Sequence, residues 1–250
     1  MGKGIPKTML KIFARTQRSA EELKQEAQKQ IRTISKQHPG LGVYDSNLYW
    51  LNDPEFNKVV HQWRKVPGLP RDRRFFIYNT AKFFRKIPGH TADIGIRFGS
   101  SSYYILQGFA DPRREHHLFD SFAGVSSPTA EDGKSSVWEK GMLAVDENTV
   151  RKNLANFPNC HFHKGWIPER FPEVKDKQFA FVHIDVDLYQ PTLDSLNFFY
   201  NKVVPGGVIL CDDYGSLFCP GAKQAMEEFF ADKKEAIIHI PTGQGLVIKA

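Results

Sequence analysis

Two acidic signatures hold most of the chemistry available to this chain. His183-Ile184-Asp185-Val186-Asp187-Leu188-Tyr189 and Cys211-Asp212-Asp213-Tyr214-Gly215 each follow an apolar stretch that reads as a buried β-strand. Four carboxylates are thereby expected at the ends of two neighbouring strands, the edge of an open α/β sheet where ligands bind. Carboxylates so close together repel one another unless a cation or a shared proton compensates. Oxygen donors suit a hard divalent ion, so the pattern points to Mg²⁺.

A second group of residues suits a nucleoside-bearing cofactor. Asp93-Ile94-Gly95-Ile96-Arg97-Phe98-Gly99 lies where a first strand should meet a first helix. Its glycines permit a tight turn and close approach of backbone to a ligand. The third glycine of the dinucleotide fingerprint is missing, so no pyrophosphate is called for. Asp120 ends the next strand, in Leu118-Phe119-Asp120-Ser121-Phe122. A carboxylate there can accept hydrogen bonds from both hydroxyls of a ribose. It can also simply cap a turn.

The elements that position these residues alternate. Strands are predicted at Thr91–Ile96, His116–Phe119, Cys160–His163, Phe179–Ile184 and Val208–Cys211, with late strands at Ala236–Ile240 and Leu246–Lys249. Helices are predicted at Arg74–Lys86, Ser102–Phe109, Asn148–Phe157, Thr192–Asn201 and Ala222–Ala231. This βαβ alternation, with continuous apolar runs at 179–184 and 208–211, predicts a doubly wound, mostly parallel sheet. Upstream, Ser19 to Lys36 lacks Gly and Pro. It repeats Leu23, Ala27, Ile31 and Ile34 at helical spacing, with Ser19 and Glu22 as a capping box and His38-Pro39-Gly40 as a stop. Residues 41–70 are aromatic and Pro-punctuated. The division expected is 1–70 as a basic helix and aromatic cap and 71–250 as the catalytic domain, with a lid loop at about 126–145.

The 250 residues carry a formal charge of +6. Nine Lys and Arg against three Glu in residues 1–36 account for all of it, leaving 37–250 neutral. A nucleic-acid enzyme would carry its basic patch on the working domain, so no nucleic-acid partner is expected. The basic helix reads as a solvated face or as a contact to an anionic surface. Its apolar stripe would also suit a homodimer. No apolar run approaches the ~18 residues of a membrane helix, and no signal peptide is expected. Three cysteines without metal spacing (Cys160, Cys211, Cys219) read as thiols in a reducing cytoplasm.

Five motifs then occur in one order: Asp93-x-Gly95-x-x-x-Gly99-Ser100-Ser101, Phe119-Asp120-Ser121-Phe122-Ala123-Gly124, Lys164-Gly165-Trp166 and the two acidic signatures, the second preceded by Pro205-Gly206-Gly207. Together they resemble the macrocin/mycinamicin/novobiocin group of sugar O-methyltransferases, the TylF-type family, over residues 71–250. Val43-Tyr44-Asp45-Ser46 extends the likeness into the cap. The resemblance implies a Rossmann-like class I methyltransferase fold, S-adenosylmethionine (SAM) as methyl donor, and Mg²⁺. It places Gly95 and Gly99 against the methionine part of SAM, Asp93 near its amino group and Ser101 near its carboxylate. Asp120 and Ser121 fall at the ribose, Gly165 and Trp166 at the adenine, and Asp185 beside the cofactor. It makes Asp185, Asp212 and Asp213 the metal ligands and Asp187 the general base. Asp93 departs from the glutamate of many relatives by one methylene. The substrate implied is a glycoside with vicinal hydroxyls, as in antibiotic biosynthesis or on a surface glycan. A catechol-type O-methyltransferase, a catalytically inactive SAM- or metal-binding module, and an RNA methyltransferase are the alternatives. Core packing for Trp166, turn capping for one of Asp212 and Asp213, and substrate orientation for Asp187 also stay open. His183 is expected to pack or hydrogen-bond within its strand. Tyr189 and Tyr214 are expected to be structural, and Tyr44, Tyr49 and Trp50 to pack the cap or wall a pocket.

Overall fold

The computed structural model describes residues 20–37, 50, 53–63, 66, 70–133 and 137–250. Seven strands form one sheet in the order β3-β2-β1-β4-β5-β7-β6. They are β1 (His90–Ile94), β2 (His116–Asp120), β3 (Cys160–Lys164), β4 (Phe179–Ile184), β5 (Val203–Cys211), β6 (Ile238–His239) and β7 (Gly245–Ile248). β3, β2, β1, β4 and β5 run parallel, while β7 is antiparallel to both β5 and β6. The helices are α1 (Ala20–Gln37), α2 (Pro54–Gln62), α3 (Arg71–Phe84), α4 (Ser100–Phe109), α5 (Glu147–Asn153), α6 (Tyr189–Phe199) and α7 (Pro220–Phe230). The doubly wound sheet is therefore as predicted.

Strand β4 is buried at all six positions because it lies between β1 and β5 with helices on both faces. Phe181, Val208 and Leu210 face the core shared with α3 and α4, and Val182, Ile184 and Ile209 face the core shared with α6 and α7. Helix α2 joins the first core through Phe56, fully buried against Phe75, Tyr78 and Tyr104, and through Trp63 stacked on Tyr103 at 4.5 Å. Asp53 caps α2 by accepting from Phe56 N–H at 2.7 Å.

Boundaries shift for local reasons. β1 stops at Ile94 because Gly95 and Arg97 take positive φ. α3 begins at Arg71, directly after Pro70, whose extended conformation cannot continue a helix backwards. α5 starts at Glu147, where the Asp146 carboxylate accepts from Thr149 N–H at 3.1 Å, and it stops at Asn153. The late strand expected at 236–240 is reduced to Ile238–His239, both exposed at the sheet edge. Ser19, the 38–40 stop, Val43, Tyr44, Asp45, Ser46 and Tyr49 lie outside the described residues, as do the side chains of Leu23, Ala27, Ile31 and Ile34. Trp50 packs partly buried against the first core. Among the described residues no helix is long and apolar enough to cross a membrane.

Helices α3 and α4 approach closely at Gly108, where an added Cβ would sit 2.5 Å from Ala81 Cβ and 2.6 Å from the Tyr78 carbonyl oxygen. Alanine normally stabilises a helix interior relative to glycine. Here the backbone contact wins, and Gly108→Ala is expected to destabilise by about 1–3 kcal/mol. Urea denaturation checks the sign; an unchanged or raised midpoint would show that the helices separate freely.

Candidate active site

The order of strands reverses between β1 and β4, and a cavity of about 310 Å³ opens at the carboxyl ends of these strands. Gly95, Ser101, Asp120, Ser121, Gly165, Trp166, Asp185, Asp187, Asp212 and Asp213 all line it. Asp93 and Gly99 do not.

Gly95 (φ 81°) sits where a side chain cannot: a Cβ would lie 1.9 Å from the Asp185 carbonyl oxygen. The β1 turn and the end of β4 are thereby in contact, with Asp185 N–H donating to the Ile94 carbonyl at 2.8 Å. Asp120 accepts from Ile96 N–H (2.9 Å), Arg97 N–H (3.1 Å) and Phe122 N–H (2.7 Å), which clamps the glycine turn to the end of β2. Burial pushes its carboxyl above the usual value despite these donors. Trp166 is half-buried in the cavity wall and belongs to neither core cluster.

Two expected positions differ. Asp93 is fully buried, and its carboxylate is taken up by Ser101 Oγ (2.7 Å), Ser102 Oγ (2.5 Å) and His183 Nδ1 (2.8 Å). It therefore organises the start of α4 from behind the wall: Ala92 and Ile94 face the second core, so strand alternation turns Asp93 to the α4 face. Gly99 (φ 83°) is the N-cap of α4 and turns toward Val150 and Leu154 of the α5 region, 3.1–3.2 Å from an added Cβ.

The acidic half is a compact charge network. One oxygen from each of Asp185, Asp212 and Asp213 falls within 4.8 Å of the others. Burial, then Asp212 and Asp213, push Asp185 well above the usual carboxylate value. Burial and Asp213 do the same to Asp187, and burial with Asp212 brings Asp213 to about 6. Asp212 moves down instead. Burial opposes its charge, but His183, Arg73 and Gln244 outweigh that cost. Arg73 Nη1 lies 2.5 Å from Asp212 Oδ2, Gln244 Nε2 donates to Oδ1 at 2.7 Å, and His183 Nε2 stands 3.6 Å from Oδ1. His183 is thus a buried imidazolium bridging Asp93 of β1 and Asp212 after β5. Burial disfavours its proton, but the two carboxylates raise it well above the ordinary histidine value. Its contacts reach across three strands, beyond the packing or hydrogen bonding expected within its own strand.

Asp187 takes the left-handed conformation (φ 63°), uncommon outside glycine. Its N–H donates to Asp213 Oδ2 at 2.9 Å, which ties the two acidic signatures together. Cys219 Sγ is 3.5 Å from Asp187 Oδ1, and Trp138 Nε1 is 3.3 Å from the same sulfur. Trp138 and Leu143 line the cavity, and backbone bonds tie Val125 to Gly141 and Met142. Tyr189 and Tyr214 donate to Glu228 and Glu227 on α7 and serve the scaffold.

Sequence reasoning missed Arg73, Gln244, Trp138 and Cys219. None stands in a motif, and each reaches the site through the fold. Arg97 stood inside the glycine motif, and its charge acts on Asp185 and Asp187.

Parallel strands in this order, with a glycine turn after β1 and acids after β2, β4 and β5, define the Rossmann-like class I methyltransferase fold. The Macrocin-O-methyltransferase (TylF) family model matches residues 80–242, and the chain belongs to that family. Demethyldecarbamoylnovobiocin O-methyltransferase of Streptomyces niveus is 31% identical over 158 residues, 58% of this chain and 59% of that protein. Mycinamicin III 3''-O-methyltransferase of Micromonospora griseorubida is 25% identical over 157 residues, 57% and 61% of the two chains. The chain thus spans about three fifths of the length of the curated relatives it matches. The structure of the O-methyltransferase NovP superposes with a TM-score of 0.62 at 27% identity, covering 71% of this chain and 79% of that one. The calicheamicin methyltransferase CalS11 shares the fold at 18% identity and a TM-score of 0.59, over 99% and 98% of the two chains.

The raised carboxyls have a consequence for the metal-free protein. An acid whose folded value lies above its unfolded value favours folding while protonated; for Asp213 that contribution is lost as pH climbs from about 4 through about 6, and Asp185 shifts in the same direction. With chelator at neutral pH, Asp185→Asn should therefore raise stability by about 0.5–2 kcal/mol, and the gain should vanish near pH 4. Thermal melts at the two pH values check this. A loss of stability at neutral pH would show that the cluster holds the fold together.

Proposed function

We propose that this protein transfers a methyl group from SAM to one hydroxyl of a vicinal diol on a sugar, with Mg²⁺ required. The observation that carries the reading is the meeting, in one cavity, of a glycine turn with Asp120 and Trp166 on one side and four carboxylates on the other. The family and a relative named for methylating a rhamnosyl tetracenomycin support the substrate class.

Both absent groups fit the residues present. Gly95 lines the cavity while its backbone packs against the end of β4. Asp120 Oδ1, which accepts only from Phe122 N–H, keeps a lone pair for one ribose hydroxyl, and Trp166 offers a face to the adenine. Gly165 and Ser121 complete this wall, and Ser101 serves the methionine end. Asp93 acts through Ser101 and the start of α4, without touching the cofactor. SAM supplies an electrophilic methyl on a sulfonium. The all-oxygen set of Asp185, Asp212 and Asp213 is the donor chemistry Mg²⁺ takes, and the surplus negative charge explains why a cation belongs there. Held by these residues, Mg²⁺ would supply Lewis acidity toward the acceptor hydroxyl.

The chain's own residues then do three things. The cavity walls align the acceptor oxygen with the methyl carbon, which removes most of the entropic barrier. Asp187 accepts the hydroxyl proton as the oxygen–carbon bond forms and the carbon–sulfur bond breaks. Trp138 and Leu143 shield the reaction from water.

The deciding experiment is calorimetric titration with SAM in Mg²⁺ buffer, followed by acceptor screening with and without EDTA. Binding in the micromolar range and EDTA-sensitive methylation of a glycoside diol are expected. Folded protein that ignores SAM would overturn the reading, and methylation of catechols alone would replace the sugar with an aromatic acceptor. Asp187→Asn should keep SAM affinity within about twofold while lowering turnover about 10²–10⁴-fold; undiminished turnover removes Asp187 as the base. Asp213→Ala should abolish both activity and the response to Mg²⁺. In wild type, Mg²⁺ affinity should fall as pH drops below about 6, because Asp213 must lose its proton to ligate metal.

A further inference from the structure

The opposite ends of the same strands carry a second cluster, rich in histidine. His90 opens β1, Glu115 precedes β2 and His117 is the second residue of β2. One ring nitrogen from each histidine and one Glu115 oxygen lie within 4.8 Å of one another. His117 Nε2 stands 3.1 Å and His90 Nδ1 3.8 Å from Glu115 Oε2. His90 Nδ1 is buried and makes no hydrogen bond among the described residues.

Behind His117 runs a relay. Its Nδ1 is 3.0 Å from His163 Nε2, and His163 Nδ1 is 2.6 Å from Glu173 Oε2. Glu173 can only accept, so His163 carries a proton on Nδ1. In the tautomer in which His117 donates from Nδ1 to His163 Nε2, His117 Nε2 turns a lone pair toward Glu115, the form in which an imidazole ligates a metal. Burial and the neighbouring His163 push His117 down to about 3, and burial likewise lowers His90, so both rings are neutral ligands at physiological pH.

We propose that His90 Nδ1, Glu115 Oε2 and His117 Nε2 form a site for a borderline divalent metal, Zn²⁺ above all, separate from the carboxylate cluster. Two imidazoles and a carboxylate are zinc donors and poor magnesium donors. A carboxylate–His–His chain behind a ligand is the outer support that metal-bound histidines use. Lys177 Nζ lies 2.5 Å from the same Glu115 oxygen and supplies positive charge in the metal-free chain. Its ammonium sits on a flexible stem, a third exposed, and withdraws when metal enters. The site joins the starts of β1 and β2, so the bound metal stabilises the fold by mass action and takes no part in catalysis.

The test uses the full chain, stripped with chelator, dialysed, and titrated with Zn²⁺ alone while retained metal is counted. Asp213→Asn removes competition from the carboxylate cluster. One zinc equivalent should persist in Asp213→Asn and resist excess Mg²⁺. In that background, His90→Ala and Glu115→Gln should each weaken zinc binding tenfold or more, and Glu173→Gln about tenfold. Lys177→Gln should bind at least as tightly as its parent. His90 and Glu115 are partly exposed, and melts without zinc verify that their variants are folded. Failure of Asp213→Asn to retain zinc overturns the proposal, as does retention that His90→Ala leaves unchanged.

Discussion

Compensation of buried negative charge at the ends of β4 and β5 is the constraint on which the rest of the site depends. Asp185, Asp187, Asp212 and Asp213 converge within one wall of the cavity. Left alone they would repel one another. The protein meets this with an imidazolium from inside the sheet, a guanidinium from α3 and an amide from the turn before β7, all directed at Asp212. Asp212 is thereby settled as an anion. Asp185, Asp187 and Asp213 stay short of positive charge, so the cluster as a whole still carries uncompensated negative charge.

The same network reaches the other half of the cavity. His183 holds Asp93, Asp93 holds Ser101 and Ser102, and those serines open helix α4. Gly95 sets its backbone against Asp185. The glycine turn and the acidic cluster are thus parts of one rigid arrangement spanning β1, β4 and β5. Such an arrangement holds the two halves of the cavity in fixed relative positions, and misalignment on the scale of an ångström lowers a reaction rate steeply.

Function and stability pull in opposite directions here. Clustered carboxyls with raised pKa values and a left-handed Asp187 are unfavourable features, and they persist because two packed cores hold the surrounding strands. Those cores come from ordinary aromatic and aliphatic packing, with Phe56, Phe181 and Phe199 fully buried. The strained chemistry sits at the strand ends, where the loops leave the sheet.

Much of this was legible in the chain alone. Apolar runs at 179–184 and 208–211 encode buried strands wherever they are placed, and glycine at 95 encodes a turn through its missing Cβ. The alternation of periods therefore determined the doubly wound sheet, and the carboxylates that follow the strands had to fall at one edge of it. Partners from distant parts of the chain were decided only by the tertiary structure. Arg73 and Asp212 are 139 residues apart, and nothing near either announces the other. The fold also withdrew Asp93 and Gly99 from the cavity wall that motif position had assigned them. Spacing along a strand specifies which edge a residue reaches, but neighbouring strands and helices decide whether its side chain meets the cavity or the interior. Local sequence encodes backbone conformation because sterics and burial act locally; charge pairing acts through space, and only the folded chain sets those distances.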